Sequence, residues 1–154
     1  MFSEVADTCS VLGYKVILLN HGGASDEQLI KEISDGCFFS PETIIDMDAA
    51  ARTMLSDARL VISGRYHGCV NALSSGVPTI AVGHAHKYET LMHDFNFDEG
   101  YCSLEEGTLS DFFNNFIQKV DFQKAQSDIL TGRQEILNRT SSMWQTVMEE
   151  LAAC

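Results

Sequence analysis

Short apolar runs rich in β-branched residues alternate along this chain with stretches whose apolar positions recur at helical spacing. Tyr14–Asn20 reads as a strand and runs into His21-Gly22-Gly23, a turn signal. Ser25 or Asp26 is placed to cap the helix that follows, on which Leu29, Ile30 and Ile33 share a face. A brief strand is expected at Cys37-Phe38-Phe39, then an Ala-rich helix from about Asp48 to Ser56. Leu60–Ser63 has the composition of a buried strand and leads directly into Gly64-Arg65-Tyr66-His67-Gly68. Residues 67–75 predict a helix with a small-residue face. Gly76-Val77-Pro78 stops it, because Gly suits a left-handed cap and Pro cannot continue the hydrogen-bond ladder. Thr79–Val82 is the next strand, a helix from about His86 to Phe95 follows, and a weak strand lies near Tyr101-Cys102-Ser103.

Strand and helix in this alternation predict an α/β fold: a doubly wound, mostly parallel sheet with helices on both faces. Residues 1–108 are expected to form this α/β unit, and residues 109–154 a helical C-terminal tail. In the tail Phe112, Phe113, Phe116 and Ile117 share one helical face. Phe122, Ala125, Ile129, Ile136, Leu137, Met143, Trp144, Val147, Met148 and Leu151 continue the spacing, with a break expected near Thr131-Gly132. Such a stripe packs on the sheet layer or on a partner domain; its polar face lacks the Lys/Arg richness of a membrane-surface helix. Residues 2–12 also read as a helix, so the chain enters its first βαβ unit at the helix. The strand that usually sits centrally in such a sheet is missing. The expectation is therefore a fragment, or a domain whose first strand lies upstream in a longer polypeptide.

Composition narrows the range of partners. The 154 residues are 45% hydrophobic and 21% charged with only 2 Pro, which suits a single folded domain and not a disordered chain. Acids outnumber bases by 22 to 10, for a net charge of -12, which argues against a nucleic-acid partner bound through a basic face. No apolar run is long enough to span a membrane, and the first residues do not form a signal peptide. The five cysteines (Cys9, Cys37, Cys69, Cys102, Cys154) are scattered without a C-x-x-C pair, which suggests reduced thiols in a cytoplasmic protein. Asn138-Arg139-Thr140 fits a glycosylation sequon but lacks a secretory route.

The charges are unevenly spread, and that marks a site. Between Leu60 and His93 the only acid is Glu89, where even spacing would put roughly five. The same window holds Arg65, Lys87 and four of the five histidines: His67, His84, His86 and His93. Arg65 and His67 follow a predicted parallel strand at the start of a helix, the edge where open α/β sheets bind ligands. Helix N-termini offer free N–H groups and a positive dipole end, so an anion is the expected ligand. Gly64 and Gly68 leave room for close approach of a ligand to the backbone. His84, His86 and Lys87 follow the next strand and emerge at the same edge. Competing readings stay open: Arg65 paired with a surface acid, His67 capping its own helix, His84 and His86 as plain loop residues. His84-x-His86 has only Glu89 nearby as a further metal ligand, so no metal is expected. No local Ser/His/Asp or Cys/His signature appears, and His21 and His93 are read as bystanders.

The segment from Ala58 to Gly68, then Asn71-Ala72-Leu73, Ser75 to Ala81 and Lys87 resembles the polysaccharide pyruvyl transferase family. That family has a similar strand, R-x-H turn, small-residue helix, G-V-P and following loop lysine. The resemblance covers about residues 14–100, and more weakly the helix before and the tail after. It implies half of a two-domain, glycosyltransferase-B-like fold with paired Rossmann-like halves, here without its N-terminal half. It implies an enzyme that transfers a pyruvyl group from phosphoenolpyruvate to a sugar of a polysaccharide or its precursor, with no cofactor. Arg65 and His67 match the R-x-H pair as catalytic residues, and Lys87 matches the loop lysine. Gly64, Gly68, His84 and His86 complete the expected substrate-binding set from their placement alone. The expected partners are phosphoenolpyruvate, a sugar acceptor (small or lipid-linked) and the absent N-terminal half, in the cytoplasm or at its inner membrane face. The isolated chain is expected to be inactive. Two rival readings stand beside this: half of a nucleotide-sugar glycosyltransferase, with Glu89 as the local acid for a ribose, and an inactive binding remnant.

Overall fold

The computed structural model describes residues 1–20, 23–44, 49–105 and 107–152; for 49–52 only the backbone is described. The expected turn at His21-Gly22, the helix start at Asp48 and Cys154 lie outside these residues. The element order is α1 (Phe2–Val11), β1 (Ile17–Leu19), α2 (Ala24–Gly36), β2 (Glu42–Ile44), α3 (Ala49–Asp57), β3 (Val61–Ser63), α4 (Tyr66–Ser74), β4 (Thr79–Val82), α5 (His86–Asp94), β5 (Tyr101–Cys102), α6 (Leu109–Lys119) and α7 (Phe122–Ala152). A 3₁₀ turn at Asp98–Gly100 leads into β5.

Every strand pairing among the described residues is parallel, as the alternating pattern requires. The ladders form two sheets. One pairs β1 with β2, Ile17 opposite Glu42 and Leu19 opposite Ile44. The other has the order β3-β4-β5, with Val61 opposite Thr79 and Ala81 opposite Tyr101. Strand β4 is buried at all four residues. A middle strand covered on both faces reads as an unbroken apolar run, which Ile80-Ala81-Val82 supplies. Thr79 is fully buried too, and its hydroxyl donates to the Val77 carbonyl at 2.9 Å. Helix α4 packs on β3 and β4 through Cys69, Ala72 and Leu73, and α7 lies against α4.

The end of α4 follows the sequence closely. Gly76 takes φ +78, its N–H donates to the Leu73 carbonyl at 2.9 Å, and the Val77 N–H donates to Ala72 at 3.0 Å. This is a Schellman closure, and it turns the chain into β4.

Three local expectations are corrected. Cys37-Phe38-Phe39 is a bend and not a strand; the strand is Glu42–Ile44. Phe38 is 67% exposed, and its N–H donates to the Asp7 carboxylate at 3.0 Å, so this stretch is tied to α1 and not to a ladder. The N-cap of α2 is Gly23, with φ +74 and no side-chain cap, so neither Ser25 nor Asp26 caps the helix. The Gly23 N–H is instead held by the Asn20 side chain at 3.0 Å.

The third correction concerns the tail. Helix α7 runs unbroken through Thr131-Gly132 for 31 residues. Gly132 does not end the helix; it lets the helix touch its neighbour. A Cβ there would sit 2.5 Å from the Phe95 carbonyl carbon and 2.7 Å from its Cα. Leu109, Phe113 and Phe116 of α6, and Ala125 and Ile129 of α7, enter the same core as Val5, Leu73, Ile80 and Phe97. Beyond the partly buried Ile136 the stripe leaves the core: Leu137, Met143, Trp144, Met148 and Leu151 are exposed. No helix among the described residues is long and apolar enough to cross a membrane.

Gly132→Ala separates these two roles of glycine. Helix propensity alone would make the substitution stabilising by about 1 kcal/mol. The backbone contact with Phe95 predicts instead a loss of roughly 1–3 kcal/mol, read as a lower urea midpoint at unchanged slope.

Candidate functional site

The carboxyl ends of β3 and β4 each open into a short turn and then a helix; the turns carry Arg65 and His84, and the first residues of the helices carry His67, His86 and Lys87. Arg65 is the N-cap residue of α4 and has extended backbone, φ -103 and ψ 123. Ser63, at the end of β3, shapes the turn: its hydroxyl accepts from the Arg65 N–H at 3.0 Å and donates to the Arg65 carbonyl at 3.1 Å. The Arg65 side chain therefore leaves the turn in one defined direction. That direction is toward α2.

The guanidinium of Arg65 is ion-paired with Asp26. Its Nη2 donates to Asp26 Oδ1, its Nε reaches the same oxygen at 3.2 Å, and Nη2 also reaches the Ser25 hydroxyl at 3.1 Å. The Asp26 side chain is 11% exposed and that of Arg65 52%. The partner of Arg65 is thus a buried carboxylate in the first turn of α2, not a surface acid. Its bond and charge raise the Arg65 pKa above the ordinary arginine value, so the group stays cationic. This contact also ties the β1–α2 turn to the β3–α4 turn.

Across the second turn, Tyr88 of α5 braces the first. Its phenol donates to the Gly64 carbonyl at 2.8 Å. The ring lies over Gly83, where a Cβ would be 2.6 Å from Tyr88 Cε2. Burial is the main cause that pushes the Tyr88 phenol up, which keeps it a donor. Tyr66 and Tyr88 meet edge to face at 5.9 Å between centroids. The Lys87 amine lies 5.3 Å from each of their centroids, within cation–π range. Tyr66 also meets the His67 ring edge to face at 6.1 Å. The Tyr66 ring thus contacts both the Lys87 amine and the His67 imidazole.

The other expected residues fall into place unevenly. His67 and Lys87 are exposed at this edge. Gly64 is open, with only the Val82 carbonyl near a notional Cβ, at 3.7 Å. Gly68 is buried and faces Ser63, whose Oγ would be 2.6 Å from a Cβ. His84 lies 3.9 Å from Glu105, and His86 is bonded to Glu89 at 3.0 Å. His93 pairs with Asp98 at 3.1 Å, at the far end of α5. Among the described residues no group of three His, Cys, Asp or Glu is arranged to hold a metal. Two open clefts lie away from this edge. One of about 450 Å³ runs between α5 and α7 at Asp94 and Arg139, and one of about 730 Å³ sits by Arg59 and Phe122.

Sequence reasoning missed Asp26, Tyr66 and Tyr88 as parts of this edge. For the tyrosines a signal was present, since each adjoins a singled-out base: Tyr66 lies between Arg65 and His67, and Tyr88 follows Lys87. Asp26 carried no such signal. It lies 39 residues from Arg65 and has the composition of an ordinary helix N-terminus.

Behind the edge, Cys69 is wholly buried, and its thiol donates to the Ser63 carbonyl at 3.5 Å. Burial pushes this thiol from 9.0 up to about 11. The folded chain therefore holds that proton longer than the unfolded chain. The associated stability is complete below about pH 9 and is lost as pH rises through about 11. Two pH units correspond to about 2–3 kcal/mol. Urea titrations at pH 8 and pH 10.5 should show this decline, and Cys69→Ala should flatten it in part, since burial raises Cys9 and Cys102 as well.

Searches of curated proteins and of solved structures returned no match. A family model described as polysaccharide pyruvyl transferase matches residues 3–86, from α1 to the first residue of α5. The matched span is 84 of the 154 residues and contains Asp26, Arg65 and His67; Lys87 lies one residue past its end. The strand, R-x-H turn, small-residue helix and G-V-P described above all fall inside it, and the chain belongs to the polysaccharide pyruvyl transferase family.

Proposed function

We propose that this chain carries the phosphoenolpyruvate site of a pyruvyl transferase, at the edge formed by the β3–α4 and β4–α5 turns. One observation carries the reading: the His67 ring and the Lys87 amine both meet the Tyr66 ring at the N-terminus of α4, whose N-cap residue is Arg65. Phosphoenolpyruvate carries a carboxylate and a phosphate on a three-carbon frame. A guanidinium, an ammonium and the free N–H groups of a helix start are the complement such a pair of anionic groups requires.

In this reading Arg65 binds one anionic group, and Lys87 places a point charge on the phosphate. His67, as the imidazolium, donates a proton to the methylene carbon of the enol. That carbon becomes the methyl group, and positive charge develops on the adjacent carbon, which bears the phosphate ester oxygen. A sugar hydroxyl attacks this carbon, and its proton returns to the imidazole. The C–O bond to phosphate then breaks, a second hydroxyl of the same sugar closes the ketal, and its proton leaves with inorganic phosphate. Gly64 gives the ligand access to the backbone, while His84 and His86 line the outer rim.

The fold proposed with this function is Rossmann-like. The two parallel sheets are read as parts of one doubly wound, glycosyltransferase-B-like half, with residues 1–108 as its α/β unit and 109–154 as a helical tail. The Arg65–Asp26 pair, which joins the carboxyl edges of both sheets, supports that reading. A cytoplasmic site of action follows from the donor, a metabolite of that compartment.

Phosphoenolpyruvate at a hundredfold excess over its Kd should stabilise the chain by about 2.7 kcal/mol, a rise of roughly 5–10 °C in Tm at this chain length. UDP-sugars should give no rise; the reverse pattern would support a nucleotide-sugar site instead. In the active enzyme, His67→Ala should lower turnover by about two to four orders of magnitude, measured as phosphate release in the presence of acceptor sugar. Near-normal turnover would remove His67 from the mechanism.

A further inference from the structure

Asp26 is one of three buried polar or charged residues among those described, with Asn20 and Thr79. Thr79 serves the backbone beside it, and Asn20 holds the turn into α2. Asp26 is different, because its carboxylate faces a side chain from another βα unit. A carboxylate held this far from water needs a strong partner to repay its desolvation. Arg65 supplies one, and the N-terminal turn of α2, where Asp26 sits, favours a negative group.

The geometry divides the guanidinium into two edges. Nε and Nη2 are engaged by Asp26 and Ser25. Nη1 makes no hydrogen bond among the described residues, and about half the side chain is open to solvent. Arginine has four rotatable bonds, so an unheld guanidinium would sweep a wide volume and pay side-chain entropy on binding. A buried carboxylate on one edge removes that freedom in advance and leaves the other edge to face a ligand.

We infer that Asp26 is the positioning residue for Arg65, holding its guanidinium so that the Nη1 edge meets the anionic group of the substrate. This rests on the proposed phosphoenolpyruvate site. It predicts that Asp26 acts on the ligand only through Arg65 and touches no substrate atom.

The test uses Asp26→Asn in the full chain, with two readouts. The first needs no ligand: in the ¹⁵N-labelled protein, water exchange of the Arg65 Nε–H, assigned by its loss in Arg65→Lys, should be slow in the wild type. It should speed up at least about tenfold in Asp26→Asn, as expected for loss of a charge-assisted hydrogen bond. The second is phosphoenolpyruvate affinity by calorimetry, which should weaken about tenfold in Asp26→Asn. In an Arg65→Ala background the same change should alter affinity less than twofold, a coupling that a general loss of stability would not produce. Unchanged Arg65 exchange in Asp26→Asn overturns the inference whatever binds. Equal or tighter phosphoenolpyruvate binding by Asp26→Asn also overturns it, and would make the carboxylate a competitor of the substrate. Protected exchange that depends on Asp26, in a wild type that ignores phosphoenolpyruvate, would sink the substrate reading and leave the clamp standing. If Asp26→Asn does not fold, Asp26→Glu carries the same two readouts. It keeps the charge but displaces it by one methylene, and should weaken binding and raise exchange in the same direction.

Discussion

The contact on which the arrangement depends is the ion pair between Arg65 and Asp26. It joins a turn of the β3-β4-β5 sheet to the first turn of α2, which follows the other sheet. Each partner is constrained from its own side. Ser63 holds the Arg65 backbone through both its N–H and its carbonyl, and Asn20 holds the turn that delivers Asp26. The pair therefore links two turns that are already shaped, so little further ordering is required to form it. A buried pair of this kind contributes less to net stability than to geometry, since desolvation offsets much of its attraction. Its consequence is placement: one cation is held at the start of α4 with one edge still open.

The second turn is joined to the first by aromatic side chains. Tyr88 spans from α5 to the Gly64 carbonyl, and the Lys87 amine rests by the rings of Tyr66 and Tyr88. Polar tips and apolar ring bodies serve different ends here. The ring of Tyr88 fills space over Gly83, while its hydroxyl satisfies a carbonyl at the exposed edge. The histidines of the second turn have carboxylates of their own: His86 is bonded to Glu89, and His84 lies 3.9 Å from Glu105.

Rigidity behind the edge comes from the core. Strand β4 is covered on both faces, and α6 and the first half of α7 close over the same cluster of Leu73, Ile80, Phe97 and Phe113. Gly132 lets α7 approach the backbone at Phe95, where any side chain would collide. Past Ile136 the helix keeps its apolar spacing but has no cover among the described residues. One periodic stripe thus belongs half to the core and half to the surface.

Periodicity and turn chemistry made most elements legible. Strands β1, β3 and β4, helices α4 to α6 and the Schellman end at Gly76 all lie where alternating or helical spacing and Gly/Pro signals put them. The depletion of acids around Arg65, His67 and Lys87 was legible too, because charge composition needs no structure. Local chemistry misled where a long-range contact competed. Phe38 and Phe39 have strand composition, but the backbone of Phe38 bonds to Asp7. Gly132 reads as a helix break until its neighbour Phe95 is known. Asp26 looks like a cap, yet its side chain turns to Arg65, 39 residues away. The sequence by itself determined which residues could carry the chemistry and on which turns they sit, because those depend on nearest neighbours along the chain. Only the tertiary structure decided which carboxylate holds the arginine and which rings flank the lysine, because those partners meet through space and leave no periodic trace.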